Sequence, residues 1–284
     1  AKGSIPKTRF NKKLSPHRVF DGREFTLTDI KNIREAFPGS TVNDVMIAVV
    51  SGSMRGYLKA KKDLPEKTLK IGAPVSVRTD DDKDSAGNQV TMMQVGVGTH
   101  LADAGDRMKF IMEETRRSKA MTQAMGAKTL MELSGAMPAG LTAAGTKMMV
   151  RAGIVDRLNP AVNTVVTNVP GPMVPMYFAG AELVKSFGMG ILAEGQGLFH
   201  VVTSYNGNVI LTFLADRNIM PDPEFYAECI VKSFSDLTAA AAKEKTAATR
   251  KAGEKKAKQT KKPKKRVSAS AATAGRTRAK TTAK

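Results

Sequence analysis

The three histidines are the first candidates for chemistry, because histidine is the side chain that most often acts as a general base. His17 lies in a segment that contains prolines, His100 lies near the end of a predicted strand, and His200 lies within one. None of them stands beside a serine, cysteine or aspartate in a known nucleophile motif. We therefore interpret all three as surface or core residues. His200 is also considered as a residue that lines a cavity, since the predicted hairpin places it opposite Phe213.

Asn43 and Asp44 are two short polar residues that open an otherwise apolar helix, which we predict over 42–61. Such residues often cap helices, because their side-chain oxygens accept hydrogen bonds from the unpaired N–H groups of the first turn. The same side chains are also able to order a neighbouring segment through hydrogen bonds. The local spacing does not separate these two interpretations.

An acidic loop is the remaining candidate for a cation site. Aspartates stand at positions 80, 81, 82 and 84, and carboxylate oxygens are ligands that Mg²⁺ and Ca²⁺ prefer. Their spacing is not that of an EF-hand, so we interpret the loop as solvated. Three histidines are too few for a His-rich metal site. We therefore predict neither a metal site nor a bound cofactor.

The charge of the chain is concentrated at one end. The 284 residues carry a formal net charge of +19, and residues 243–284 hold 16 Lys and Arg against two acids, which gives +14. This segment has no apolar periodicity, so we expect a disordered tail. Tails rich in lysine bind polyanions without sequence preference, so both an anionic membrane and nucleic acid are considered as its partners. The remaining +5 does not indicate a nucleic-acid-binding fold.

Cysteine usage and hydropathy limit the compartment. The single cysteine, Cys229, excludes a disulfide framework within the chain and is typical of a reducing compartment. The sequence has no apolar leader and no apolar run that is long enough to cross a membrane. We therefore expect a cytoplasmic protein that meets a membrane or a lipid inclusion only from its periphery.

The elements that must position these residues alternate between helix and strand, which predicts an α/β (α+β) fold with a mixed sheet flanked by helices. Strands are expected at 69–77, 89–98, 162–169, 198–205 and 208–215, the last two joined by an Asn206-Gly207 turn. Helices are expected at 28–37, 42–61, 103–123 and from Asp222-Pro223 onward. Thr28 is the expected N-cap of the first helix. The last helix is expected to bury Phe225, Cys229, Ile230 and Phe234. We divide the chain into a leading segment 1–23, a domain 24–242 and the basic tail 243–284.

Several segments, in order, are similar to the C-terminal domain of one family, the bacterial wax ester synthase/diacylglycerol acyltransferase (WS/DGAT) family. They are TVNDVMIAVVSGSMRGYL (41–58), PVSVR (74–78), GNQV (87–90), NTVVTNVPGP (163–172), MYFAGAEL (176–183), GQGL (195–198), SYNG (204–207) and ADRNIMPDP (215–223). The resemblance covers about residues 14–238. It implies the fold of CoA-dependent acyltransferases, in which two related domains enclose a channel. It also implies transfer of a fatty acyl group from acyl-CoA, as substrate, to diacylglycerol or a long-chain alcohol.

The resemblance also assigns roles to particular residues. The family's catalytic element is an HHxxxDG motif in the N-terminal domain, and this chain has no adjacent histidine pair. Its one Asp-Gly pair, Asp21-Gly22, follows Val-Phe instead. Asn43 and Asp44 match the family's ND motif, which implies structural support of the active site. The matching NVPGP segment implies a rigid turn at the domain interface, formed by Asn168, Pro170, Gly171 and Pro172.

Two functions are therefore expected. In the first, the chain is a C-terminal acyltransferase domain that obtains its catalytic histidine from an N-terminal domain in trans, or from a part of the gene outside this sequence. This hypothesis predicts exposed apolar surface where that domain would dock. In the second, the chain is a non-catalytic module that binds lipid inclusions or a membrane surface and carries a polyanion-binding tail.

Overall fold

The computed structural model of the chain describes residues 5–76, 90–124 and 161–260. The acidic loop and residues 261–284 of the basic tail lie outside the described residues. Contacts divide the chain into two compact units, residues 1–245 and residues 246–284. The described part of the second unit, residues 246–260, is helical.

A mixed sheet, with six strands among the described residues, organises the first unit and confirms the predicted fold class. Its strands are β1 (Arg18–Thr26), β2 (Lys70–Ser76), β3 (Val90–Gly96), β4 (Thr164–Val169), β7 (Leu198–Tyr205) and β8 (Asn208–Asp216). A separate two-stranded hairpin is formed by β5 (Tyr177–Phe178) and β6 (Ala181–Glu182). The order in the sheet is β1-β8-β7-β4-β2-β3, in which β4 runs parallel to both β2 and β7 and the other pairs are antiparallel.

The two faces of the sheet are covered differently. On β7, Leu198, His200 and Val202 are buried against the helical layer, where His200 meets the last helix. The opposite face is crossed by residues 186–190: the Thr203 hydroxyl donates to the Ser186 carbonyl at 3.1 Å. This alternation follows from the two-residue period of a strand and makes β7 a central strand buried on both sides.

Four α-helices and a short 3-10 helix (Arg9–Asn11) accompany the sheet in the described residues. The α-helices are α1 (Leu27–Ala36), α2 (Val42–Ala60), α3 (Ala104–Ala124) and α4 (Pro223–Thr260). Helix α2 is apolar on almost every side and lies in the core, with Val45, Val49 and Tyr57 fully buried. The prediction of Thr28 as the N-cap of α1 is wrong. Thr26 is the cap, because its hydroxyl accepts a hydrogen bond from the Asp29 N–H at 3.0 Å.

Helix α4 corrects two further expectations. Ile230 is buried as predicted, but Phe225, Cys229 and Phe234 are only partly buried against the core. Tyr226 and Leu237 are buried instead, so the buried face is shifted by about one position along the sequence. The helix also continues to Thr260, so order does not end at residue 243 as predicted. The composition of residues 243–260 explains the extension, because alanine, lysine and glutamate favour helix even without an apolar face.

The beginning of the sheet was also missed. The sequence predicts a leading segment over residues 1–23, but residues 18–23 form most of β1, which pairs along its whole length with β8. Charged residues interrupt the alternation in this strand, because β1 is an edge strand and several of its side chains reach solvent. Within the described ranges, none of the helices combines the length and the apolar character that crossing a bilayer would need.

Candidate functional site

His200 is a hydrogen-bonded core residue with no exposed surface. The Thr164 hydroxyl donates to the Leu198 carbonyl at 2.7 Å, so it accepts from the Nδ1–H of His200, 3.2 Å away. This leaves Nε2 to accept from the hydroxyl of Tyr226 at 2.7 Å. Burial lowers the pKa of His200 to about 3, and burial also raises the pKa of Tyr226, so both groups are neutral. His200 lines none of the cavities described below.

His17 and His100 are exposed, and neither lies in a set of catalytic groups within the described residues. The ring of His100 meets the edge of Phe110, with centroids 5.6 Å apart. The backbone carbonyl of His17 accepts a hydrogen bond from Arg217 in the turn after β8. The structure therefore places the three histidines apart. Among the described residues, the hydroxyls that His200 meets, those of Thr164 and Tyr226, are fully buried with it and out of reach of a substrate.

The Asn43–Asp44 pair lies in the first turn of α2, and Asp44 forms a capping box with Thr41. The Asp44 N–H donates to Thr41 Oγ1 at 3.1 Å, while Asp44 Oδ2 accepts from the Thr41 N–H at 2.8 Å. Asn43 is half-buried. The other carboxylate oxygen, Asp44 Oδ1, is buried and has no hydrogen-bond partner among the described residues. Thr41 is therefore the N-cap of α2, and Asp44 completes its capping box while holding a buried acceptor oxygen that no described residue contacts.

That free oxygen belongs to a residue that lines a cavity of about 510 Å³ between the α1–α2 turn and α3. The lining residues are Pro38, Gly39, Thr41, Asp44, Met112, Glu113, Thr115, Arg116 and Lys119. Thr115 Oγ1 is a second buried oxygen without a described partner, and Ser40 Oγ, in the same turn, is a third. Buried polar atoms are rarely left unpaired, so this arrangement favours a site that receives hydrogen-bond donors from elsewhere.

The NVPGP turn is fixed against the β7–β8 hairpin. Asn168 is the next-to-last residue of β4 and lies opposite Val202, and the Gly171 N–H then donates to Ser204 Oγ at 3.1 Å. The Pro172 carbonyl accepts from the Asn206 N–H at 3.0 Å. A Cβ at Gly171 would lie 2.1 Å from the Ser204 carbonyl oxygen, so no other residue fits without moving the turn.

Beyond this turn, residues 173–191 form an extended segment that we call the apolar arm, which includes the β5–β6 hairpin. Its large apolar side chains are mostly exposed: Met173, Val174, Met176, Tyr177, Phe178, Val184, Phe187, Met189 and Ile191. Phe178 is 84% exposed and Ile191 85%. The arm is nevertheless held to the sheet, since the Met176 N–H donates to the Tyr205 hydroxyl at 2.8 Å. So many neighbouring apolar side chains in water indicate a binding surface.

Sequence reasoning missed two parts of this arrangement. The Tyr226–His200 contact carries no local signal, because it depends on how α4 lies across β7. The apolar surface was expected for a docked domain, but its position in 173–191 was not. The signal was present, since Met, Val, Tyr and Phe are frequent there without a helical or strand period.

Comparison with known proteins agrees with this geometry. The sequence profile of the WS/DGAT C-terminal domain matches residues 86–238. The O-acyltransferase WSD of Acinetobacter baylyi is 33% identical over 218 residues, which is 76% of this chain and 45% of that protein. A putative diacylglycerol O-acyltransferase of Mycobacterium bovis is 29% identical over 234 residues, which is 82% of this chain and 50% of that protein.

A solved structure shows the same likeness. The wax ester synthase/diacylglycerol acyltransferase of Marinobacter aquaeolei VT8 is 25% identical and superposes with a TM-score of 0.67, over 84% of this chain and 53% of that one. The chain therefore spans about half the length of the relatives it matches. Since the matched residues make up more than half of its sequence, the chain belongs to the WS/DGAT C-terminal domain family.

Proposed function

We propose that the chain forms one half of an O-acyltransferase that moves a fatty acyl group from acyl-CoA to diacylglycerol or a long-chain alcohol. Membership of the family and the names of the relatives support this assignment. In the reaction, the alcohol oxygen bonds to the acyl carbon, the carbon–sulfur bond breaks, and a base carries the hydroxyl proton to the departing CoA sulfur. This chain contributes a wall of the channel that excludes water from the thioester.

The base itself comes from elsewhere in this proposal. A general base must approach the hydroxyl of the acceptor within hydrogen-bond reach. His200 is buried, neutral and bonded at both ring nitrogens, and the sequence contains no HHxxxDG motif. We therefore assign the base to an N-terminal acyltransferase domain that carries the motif, as a separate chain or as another part of the same protein.

The apolar arm is the observation that carries this proposal. Its exposed side chains would be covered by the N-terminal domain, in the way that the core of a stable protein interface is covered. The chain matches only half of each relative, so the relatives contain a further half of comparable size as the candidate occupant. Asp44 supports the active site in this assembly, with its free Oδ1 accepting a hydrogen bond from a donor of the other half.

An acyl-transfer assay tests the proposal. The purified chain is incubated with palmitoyl-CoA and either diolein or hexadecanol, alone and together with a purified HHxxxDG-bearing N-terminal domain from a WS/DGAT enzyme. We expect ester only in the mixture. Ester from the chain alone would refute the assignment of the base to the other half, and a mixture that forms a stable complex without any ester would refute the catalytic role.

A second function is favoured by the same arm together with the basic tail. A chain that exposes apolar side chains and carries +14 in residues 243–284 is suited to bind the surface of a lipid inclusion or an anionic membrane. Two results together would favour the lipid-binding module over the acyltransferase. The chain would float with triolein droplets, and it would form no ester under any of the assay conditions above. Binding of the tail to DNA would instead show as a salt-sensitive gel shift.

A further inference from the structure

A basic cavity between α2, α3 and α4 is unrelated to the surfaces described so far. It has a volume of about 240 Å³ and shares no lining residue with the cavity beside Asp44. The lining residues are Gly52, Arg55, Gly56, Lys59, Ala102, Arg107, Cys229, Lys232, Ser233 and Asp236. We infer that this cavity binds a phosphate group.

The charge of the lining supports an anion. Four cationic side chains face one carboxylate, that of Asp236, and this carboxylate is already paired with Lys232 at 2.9 Å. Arg55, Lys59 and Arg107 are left without a carboxylate within 4 Å among the described residues. Like charges gathered in one partly enclosed space repel each other unless an anion joins them.

The two arginines are held in place by neutral partners. Arg55 Nη1 donates to the Thr99 carbonyl at 2.6 Å, and Arg107 Nη1 donates to the Leu101 and Ala102 carbonyls at 3.0 and 2.8 Å. These bonds fix each guanidinium and leave its other N–H groups available. Burial, and then the nearby Arg55 charge, lower the pKa of Arg107, and the carboxylates of Asp236 and Asp103 offset this shift only in part.

Two buried atoms at the cavity lack a partner. Arg107 and Ser233 are each only 4% exposed, and Arg107 Nε and Ser233 Oγ have no hydrogen-bond partner among the described residues. A guanidinium N–H and a hydroxyl are both donors that phosphate oxygens accept strongly. Glycine at position 52 leaves room for these two side chains. A Cβ there would lie 2.1 Å from Ser233 Oγ and 3.1 Å from Arg107 Nη2.

The cavity is large enough for a phosphate group and the few ligand atoms bonded next to it. Pockets for whole drug-sized molecules span about 300–1,000 Å³, so neither an acyl chain nor a whole cofactor is expected inside. A phosphate monoester of this kind has two relevant sources, the ribose 3′-phosphate of coenzyme A and the headgroup of phosphatidic acid. The inference concerns binding alone, so it stands whether or not the chain takes part in acyl transfer.

Cys229 provides a local readout, because the single cysteine of the chain lines this cavity and is half-buried. Burial raises the pKa of its thiol to about 11, so labelling is slow, and it is followed by intact mass with methyl methanethiosulfonate, a reagent that reacts selectively with thiols at basic pH. The full chain is labelled alone, with adenosine 3′,5′-bisphosphate, with dioctanoyl phosphatidic acid, and with adenosine as the control that lacks phosphate. We expect at least fivefold slower labelling with one or both phosphate ligands and no change with adenosine.

Paired variants locate the binding site. In Arg55→Gln/Lys59→Gln the protection should disappear, whereas Lys67→Gln, a charge change on an exposed loop, should keep it. Ser233→Ala removes one hydroxyl and little volume, and it should weaken the protection of Cys229 several-fold. This variant tests the site even if the double variant does not fold. Phosphate bound only to the basic tail would not protect Cys229 in any variant. Absence of protection in the parent chain, or equal protection in all variants, would overturn the inference.

Discussion

At the scale of single residues, His200 makes stability depend on pH. Its pKa is lowered to about 3 in the folded chain, while an unfolded histidine titrates near 6.5. Between these values the unfolded state binds a proton that the folded state does not, so stability falls as pH falls from about 6.5 towards 3. The loss is about 1.4 kcal/mol per pH unit.

We expect His200→Gln to remove this part of the pH dependence while lowering stability at pH 7 through disturbed packing. Urea unfolding at pH 7, 6 and 5 measures the difference in slope between variant and parent. His17→Gln is the control, because His17 is exposed and should leave the slope unchanged. Parallel pH profiles for His200→Gln and the parent chain would contradict the neutral buried state.

At the scale of elements, the turn after β4 depends on the absence of a side chain at Gly171. A Cβ there would meet the Ser204 carbonyl at 2.1 Å, so Gly171→Ala should destabilise the chain by about 1–3 kcal/mol. Gly56→Ala, in the C-terminal part of α2, should instead stabilise by about 0.5–1 kcal/mol, because its Cβ would find only ordinary contact with Cys229 at 3.5 Å. Chemical denaturation measures both, and equal effects would show that the turn is not tightly fixed.

The elements also show what the sequence could predict. The Asn206-Gly207 turn fixes the register of its hairpin, so the pairing of His200 with Phe213 was predicted correctly from local residues. The caps and buried faces of helices are harder to predict from local residues. Thr26 and Thr28 are both suitable N-caps for α1, and only packing selects Thr26. The site residues that depend on helix packing, such as Tyr226 and Arg107, had no local signal of their own.

At the scale of the whole molecule, the apolar arm should determine whether the chain binds the N-terminal acyltransferase domain. Phe178→Asp places a charge on a side chain that is 84% exposed, so it should change stability by less than about 0.5 kcal/mol. If the arm is the docking surface, this variant should lose at least tenfold of the ester formed in the mixed assay. Val231→Asp, which also replaces an exposed apolar side chain by aspartate, at a 48% exposed position on α4, should keep full activity. Equal activity of the two variants would place the docking surface elsewhere.

The strand order of the sheet has a consequence for how the chain is made. Strand β1 precedes the other strands of the sheet along the chain, yet its one neighbour among the described strands is β8, with Arg18 opposite Asp216 and Thr26 opposite Asn208. Nearly the whole first unit must therefore be synthesised before its edge can close, and such distant pairing slows folding. A nascent chain that stalls before residue 216 would keep an unpaired strand, open to chaperones and to other nascent chains.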